Sequence, residues 1–317
     1  MNHHQGATTA LKTYKQIELN GEKNLQFFLD KHSTKEGTWG HLTVHEGTLE
    51  FVFLDGHGHE LSHHTLNFKS PTLAIPPAAW HKIASISRDF KATLQFCCQP
   101  HRYFEKKYRL APIHHDLWAI HQTYLRERGK MTVLDVGCGS GRNPLVFALS
   151  GHNVIGIDKN KEAIENIRHI AAQERLSKIE THIHDLNQPL PIKDKSFDFI
   201  YSTVTLQFLN PSSIKPLLTK LQSLTSTGGM HFLVFPIKAK PYTYPQSFTY
   251  LAETNELYHF YQDSGWSILE YKEKPGQLHK LDKSGKPKQG IFGHLLAQKH
   301  LESFGIANGK ENKNVRY

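Results

Sequence analysis

Thr132-Val133-Leu134-Asp135-Val136-Gly137-Cys138-Gly139-Ser140-Gly141-Arg142-Asn143 decides how this chain is read. Five residues of buried-strand character run into glycines at every second position. Asn143 to Ser150 then reads as a helix, with Gly151 just beyond it. A strand that turns through glycines into a helix is a nucleotide-site arrangement. Glycine lets the backbone turn sharply and approach a ligand, and the first helical amides have no partner inside the helix. A dinucleotide fingerprint wants G-x-G-x-x-G, its third glycine packing helix on strand. Here the spacing is G-x-G-x-G, and Arg stands at position 142.

That spacing, preceded by Asp135, is the form seen in class I S-adenosylmethionine (SAM)-dependent methyltransferases. There the acid at the strand end helps anchor the amino-acid end of SAM. Outward from the loop, Asn153 to Asp158 reads as the next strand, ending on an acid that can accept from both ribose hydroxyls. Thr181 to Asp185 reads as a third strand, ending on an acid at the adenine side. Each acid alone is explained as a turn or helix-cap residue; three at successive strand ends are not. Lys161 to Arg175 reads as an amphipathic helix and Phe197 to Tyr201 as a strand. A helix follows from Ser212 to Thr225, with Pro216 a mild misfit and Gly228-Gly229 as its stop. Met230 to Phe235 is a fifth strand, and Trp266 to Tyr271 with Phe292 to Ala297 a closing pair. Strands alternating with helices from His114 onward predict a parallel sheet.

The first hundred residues have another texture. Leu42 to His45, Thr48 to Leu54, His64 to Phe68, Thr72 to Ile75 and Lys91 to Phe96 are short strands between Glu46-Gly47, Asp55-Gly56 and proline turns. That spacing predicts an all-β sandwich or barrel. The charged, aromatic stretch Tyr103 to Tyr108 marks the boundary. The expected organisation is an α/β protein: an all-β domain over 1–104, a Rossmann-like class I methyltransferase domain over 105–305, and a disordered tail over 306–317.

The chain has 317 residues, 38 Lys and Arg against 29 Asp and Glu, and a formal net charge of +9. Such a balance suits nucleic acid, an anionic surface, a small anion, or simply a basic solvated surface. No window approaches the ~20 apolar residues of a membrane helix, so no membrane partner is expected. The polar start Met1-Asn2-His3-His4 leads into no apolar stretch, so no secretory signal is expected. Cys97, Cys98 and Cys138 are not spaced as a zinc site, and a reducing cytosol is the expected compartment.

With these residues placed, the chain resembles the tellurite-resistance methyltransferases of the TehB family along almost its whole length. Leu134 to Asn143 is close to that family's SAM loop, the Arg-Asn pair included. Asp158-Lys159-Asn160 is similar to its ribose motif, Asp185-Leu186-Asn187 to its adenine-side motif, and Ser202 to Leu209 to its strand-four segment facing the reacting end. Gly276-Gln277-Leu278-His279-Lys280 resembles a segment in which His precedes a basic residue, usually Arg. Lys31 to Trp39 and Pro76 to His81 resemble the cupin-like domain of the family's longer members. The resemblance implies SAM bound by Asp135, Gly137, Gly139, Gly141, Arg142, Asp158, Lys159, Asp185, Leu186 and Thr203. It implies methyl transfer to tellurite or selenite oxyanions.

An oxyanion acceptor needs positive charge beside the methyl. His279, Lys280 and Arg142 are the candidates. His279 can exchange protons or hold the anion, and Lys280 supplies charge. The surrounding run holds Lys272, Lys274, Lys283, Lys286 and Lys288 against Glu273 and Asp282, and is expected to join the last two strands. Two departures stand out. Lys280 lacks the bidentate geometry of the family's usual Arg, and Pro287 stands where a further Arg is common. Two other readings remain: methylation of a thiol, halide or other small nucleophile, and a non-catalytic SAM-binding protein using its charge on a polyanion. Ser202-Thr203-Val204-Thr205 stands where base methyltransferases often carry N-P-P-Y, so no nucleic acid is expected. In the first domain, His32, His41, His45 and His81 raise a metal or anion site. The strand at Leu42 to Leu54 has no H-x-H, and His57-Gly58-His59 lies in a turn. No metal is expected; a structural role or the pairing of two copies is.

Overall fold

The computed structural model describes residues 10–20, 25, 28–193, 195–281 and 285–300, without the side chains of 279–281. The expected tail over 306–317 lies outside the described residues. The chain divides into two compact units, one holding the residues up to Ile120 plus Ser140–Ser150, the other His121–Gly139 and everything from Gly151 on.

In the first unit, β1 (Lys12–Asn20), β2 (His32–Ser33), β3 (Trp39–Glu46), β4 (Leu49–Leu54), β5 (Glu60–Leu66), β6 (Thr72–Ile75), β7 (Trp80–Ile86) and β8 (Lys91–Cys98) form two four-stranded sheets, ordered β1-β8-β3-β6 and β2-β7-β4-β5. Alternation explains the packing. Leu42 pairs with Leu94 and Val44 with Ala92, and these buried residues meet Leu49, Phe51 and Ile83 of the other sheet. The all-β reading therefore holds, but it lacked β1, β7 and the two-residue β2. Lys15, Gln16 and Glu18 of β1 face solvent and hide the period of Ile17 and Leu19. In β7 the preceding Pro76-Pro77 pointed to a turn, whereas Trp80 opens a seven-residue strand. Two short helices, α1 (Tyr103–Tyr108) and α2 (His115–Ile120), complete the unit with α3 (Pro144–Leu149).

The second unit is one seven-stranded sheet built from β9 (Thr132–Val136), β10 (Asn153–Asp158), β11 (Ile179–Ile183), β12 (Phe197–Thr203), β13 (Thr225–Ile237), β14 (Trp266–Leu281) and β15 (Pro287–Lys299). The order is β11-β10-β9-β12-β13-β15-β14; the first five strands are parallel, and β15 runs antiparallel to both neighbours. The chain moves outward through β9, β10 and β11, then starts again at β12 on the other side of β9. That reversal opens a crevice at the carboxyl ends of β9 and β12, where ligands bind in open α/β sheets. Helices α4 (Lys161–Gln173), α5 (Pro211–Ser223) and α6 (Glu256–Asp263) bury apolar stripes such as Ile164, Ile167 and Ile170. Among the described residues no helix is long and apolar enough to cross a membrane.

Three sequence expectations are corrected. Asp185 does not end β11, which stops at Ile183; it lies two residues on, in a turn. Gly228-Gly229 does not end a helix. It lies inside β13, which begins at Thr225 and bends there, its pairing with β12 shifting register. The lysine-rich run is not a loop joining two short strands. Residues 272–281 continue β14, and the register runs from Trp266↔Lys299 to Leu281↔Pro287.

Beneath this sheet lies a buried polar chain. Thr225 Oγ1 donates to the Leu221 carbonyl (2.8 Å) and contacts His231 Nε2 (2.6 Å), while His231 Nδ1 meets the Tyr261 hydroxyl (2.6 Å). The threonine has one proton and has spent it, so His231 carries its hydrogen on Nε2 and accepts from Tyr261 on Nδ1. Full burial, with Trp266 packed at 4.5 Å, lowers the His231 pKa to about 3.

Candidate active site

The glycine loop begins where β9 stops. The amides of Gly137 and Cys138 both donate to the Ile157 carbonyl (2.8 and 2.9 Å), tying the loop to the end of β10. Gly137, Gly139 and Gly141 all have left-handed φ: +85°, +51° and +100°. At Gly137 the requirement is double, because a Cβ would lie 2.2 Å from Thr205 Oγ1. At Gly139 the reason differs. Nothing lies within 4 Å of a would-be Cβ, so the backbone borders open space. Asp158 fixes this edge: its Oδ2 accepts from Gly139 N at 2.8 Å and its Oδ1 from Asn160 N at 2.9 Å. Each charge-assisted bond is worth about 1.5–3 kcal/mol. Asn160 in turn caps α4, its Oδ1 accepting from Ala163 N at 3.1 Å.

Asp135 is fully buried on β9, between Gly156 and Tyr201 on the neighbouring strands. Burial pushes the Cys138 thiol well up, and the carboxylates of Asp135 and Asp158 push it further, so this sulfur keeps its proton and is no nucleophile. Asp185 is exposed in its turn, its pKa lowered first by the Asn187 amide, which donates to Oδ1 at 3.0 Å, and more weakly by the Lys159 charge. The Lys159 charge is thus felt at Asp185, and Leu186, next in the chain, is buried. Thr203 is buried at the end of β12. Gly141 and Arg142 belong to the first compact unit, where Arg142 is half-buried and Asn143 Oδ1 accepts from His114 N (3.0 Å).

The donor set suits SAM: acids for an ammonium and a ribose diol, a buried leucine for a base, and an open glycine edge where the backbone can approach the ligand. Four further residues shape the crevice without having been picked out as binders. Thr205 fills the space against Gly137, Asn160 caps α4, and Asn187 Oδ1 receives Asn210 N at 2.8 Å, linking the turn after β11 to the start of α5. Gln207 is fully buried. Its Nε2 donates to the Val204 carbonyl (2.8 Å), and its Oε1 has no hydrogen-bond partner among the described residues. Val204 itself is left-handed at φ +61°, a costly backbone for a β-branched residue. Asn160 had a readable signal, a cap residue before a helix. Thr205 and Asn187 act through contacts distant in sequence.

On the opposite side, β14 runs parallel in direction to β13, so its late residues lie at the carboxyl edge of the sheet. Ile237, the last residue of β13, pairs with Ile291 of β15, itself paired with Pro275; the hairpin continues past this level to Leu281↔Pro287. His279 and Lys280 lie on this overhanging part of β14, and their side chains lie outside the described residues. Lys283 is not described either. Lys272 is spoken for, paired with Glu270 at 3.0 Å.

In the first unit His81 is buried, edge-on to His32 at 4.2 Å and stacked on Phe51 at 5.2 Å; burial above all lowers its pKa to about 4. A neutral imidazole offers no charge to an anion. His57 and His59 lie in an exposed turn, with His59 on Asp55 at 3.0 Å. Among the described residues no three His, Cys, Asp or Glu side chains are grouped to hold a metal.

Known proteins bear on this geometry. Residues 96–296 match the family model described as "Tellurite resistance protein TehB", and residues 15–94 match "TehB-like domain". A Haemophilus influenzae protein named probable S-adenosyl-L-methionine-dependent methyltransferase TehB is 35% identical over 90% of this chain and 97% of its own. An Eikenella corrodens protein named hemagglutinin 1 is 30% identical over 79% of this chain and 80% of its own. The crystal structure of TehB from Haemophilus influenzae superposes with a TM-score of 0.83 at 34% identity, covering 91% of this chain and 98% of that one.

Proposed function

The chain belongs to the TehB family of SAM-dependent methyltransferases, and from there we propose that its acceptor is a small chalcogen oxyanion of the tellurite or selenite type. The observation that carries the reading is the pairing of a SAM crevice with a lysine-bearing hairpin that overhangs the same sheet edge. SAM supplies an electrophilic methyl on a sulfonium. The acceptor's lone pair forms the bond to that carbon as the carbon–sulfur bond breaks, its electrons returning to sulfur. Little proton traffic is needed; orientation and exclusion of water are.

In this reading Asp135 and the loop from Gly137 to Gly141 hold the amino-acid end of SAM. Asp158 accepts from the ribose while keeping Gly139 in place, Asp185 and Leu186 meet the adenine, Lys159 tempers Asp185, and Thr203 borders the reacting end. His279 and Lys280 draw in and orient the anion; Arg142 holds either the SAM carboxylate or the acceptor. Residues 1–104 are an accessory β domain, suited to pairing two copies, and 105–305 the catalytic one. The cytosol is the compartment that supplies SAM and keeps the three buried thiols reduced.

The test is release of S-adenosylhomocysteine with tellurite, selenite, methanethiol and iodide as separate acceptors. Turnover with the oxyanions supports the reading; turnover confined to thiol or halide replaces it with the second acceptor class. SAM binding with no turnover on any of the four would leave a SAM-binding protein without transfer.

A further inference from the structure

Between β13 and α6 the segment 238–252 has no regular strand or helix, yet it is closed. Lys238 N donates to the Ala252 carbonyl (2.8 Å) and Ala252 N to the Pro236 carbonyl (3.0 Å), so the ends meet as in an Ω-loop. The loop springs from the carboxyl end of β13, one strand from the SAM crevice. It is fastened to the turn after β12: Thr249 N donates to the Gln207 carbonyl and Thr249 Oγ1 to the Leu209 carbonyl, both at 2.8 Å. That turn begins at Thr205, the residue seated against Gly137.

Three aromatic rings stand along this junction. Phe208 is 45% exposed, an unusual position for a large apolar ring. Phe248 meets it edge to face at 5.5 Å, and Tyr244 stacks on Phe248 at 6.2 Å. Tyr244 cannot swing away. Its hydroxyl donates to the Ile237 carbonyl and accepts from Ile291 N (2.9 Å), and its ring covers Gly290, where a Cβ would lie 2.7 Å from Cε1. With both hydrogen-bonding roles of its hydroxyl used, Tyr244 is a wall and no acid or base.

We propose that Phe208, Phe248 and Tyr244 form the acceptor-side wall of the site and set its specificity for compact, polarisable nucleophiles. The inference rests on the methyltransferase reading above and deepens it. A π face beside a sulfonium is attractive. An apolar wall also strips water from an anion approaching a cation, which strengthens their attraction. Bulky acceptors are shut out by rings that backbone bonds hold in place. The wall acts on the acceptor and leaves the adenosine and amino-acid contacts of SAM untouched.

The experiment compares wild type with Phe248→Ala, Phe208→Ala and the milder Phe208→Leu, using selenite as the compact probe and thiophenol as the bulky one. S-adenosylhomocysteine affinity is measured by calorimetry and folding by near-UV circular dichroism. The alanine variants should raise KM for selenite about tenfold and gain thiophenol turnover, with S-adenosylhomocysteine Kd within about twofold of wild type. Phe208→Leu should fall between, and Phe248→Tyr should restore wild-type behaviour. Unchanged KM and continued exclusion of thiophenol in folded variants would overturn the wall, as would a parallel loss of S-adenosylhomocysteine affinity. If wild type ignores selenite but uses methanethiol, the oxyanion reading fails while the wall is judged by KM for methanethiol. A wild type inert toward every acceptor overturns both.

Discussion

The two sides of the crevice are built on opposite principles. On the cofactor side, residue type is dictated locally: Gly137 and Gly139 hold backbone angles that other residues adopt at a cost, and Asp158 clasps Gly139 from the next strand. On the acceptor side as proposed, long strands, a closed loop and stacked rings make the shape, and contacts between distant residues hold it. The difference follows from the ligands. One cofactor imposes one set of hydrogen bonds, whereas an acceptor is selected by size, charge and dryness, which many sequences can provide.

Substitutions should separate the sides. The largest effect is expected for Gly137→Ala, which must both adopt φ +85° and displace Thr205. It should cost about 2–4 kcal/mol of stability and abolish SAM binding, read by urea unfolding and calorimetry. Asp158→Ala should weaken SAM binding about 100-fold through loss of its charge-assisted bonds, and should also lower the urea midpoint, because the Gly139 and Asn160 amides lose their acceptor. His279→Ala should instead lower kcat about 100-fold by misplacing the acceptor and leave SAM affinity within about twofold. Equal losses of SAM affinity in these last two variants would erase the division between the sides.

A smaller, pH-dependent effect concerns the buried polar chain through His231. His231 on β13 has its pKa lowered to about 3 by burial, against about 6.5 in an unfolded chain. The unfolded state therefore takes up the proton first. The neutral histidine's stabilisation is complete above pH 6.5 and is lost as pH falls from there toward 3, at about 1 kcal/mol per unit. Urea midpoints at pH 7.5 and 5.5 should differ accordingly, and His231→Gln should flatten the slope. The smallest effect is expected for Lys272→Ala: its pair with Glu270 is exposed, so stability should shift by less than about 0.5 kcal/mol, and transfer should stay at the wild-type rate.

Legibility in the sequence followed the same divide. The loop from Asp135 to Gly141 and Asp158 could be read because neighbouring residues alone specify a strand, a turn and a helix start. What Asp158 does for Gly139, and why Thr205 excludes a side chain at Gly137, depend on strands folded side by side. The hairpin is hidden in the sequence for a physical reason. Pro275, Gly276, Pro287 and Gly290 argue locally for a loop, but Phe292 covers Gly276 and Tyr244 covers Gly290, and these distant rings restore what the glycines lack. β1 was hidden by its own solvated face. Asp185 reads as a strand end because Thr181-His182-Ile183 continues smoothly into it; the Asn187 amide and side chain turn the chain there instead.

The chain from Tyr261 through His231 and Thr225 to the Leu221 carbonyl has one direction only. Each hydrogen is assigned and shielded from exchange with water. The tyrosine hydroxyl and histidine Nε2 protons should therefore stand as separate, slowly exchanging resonances far downfield of the amide envelope in a proton NMR spectrum. Their disappearance would signal loosening of β13 before any global transition, a reporter already present in the protein without a label.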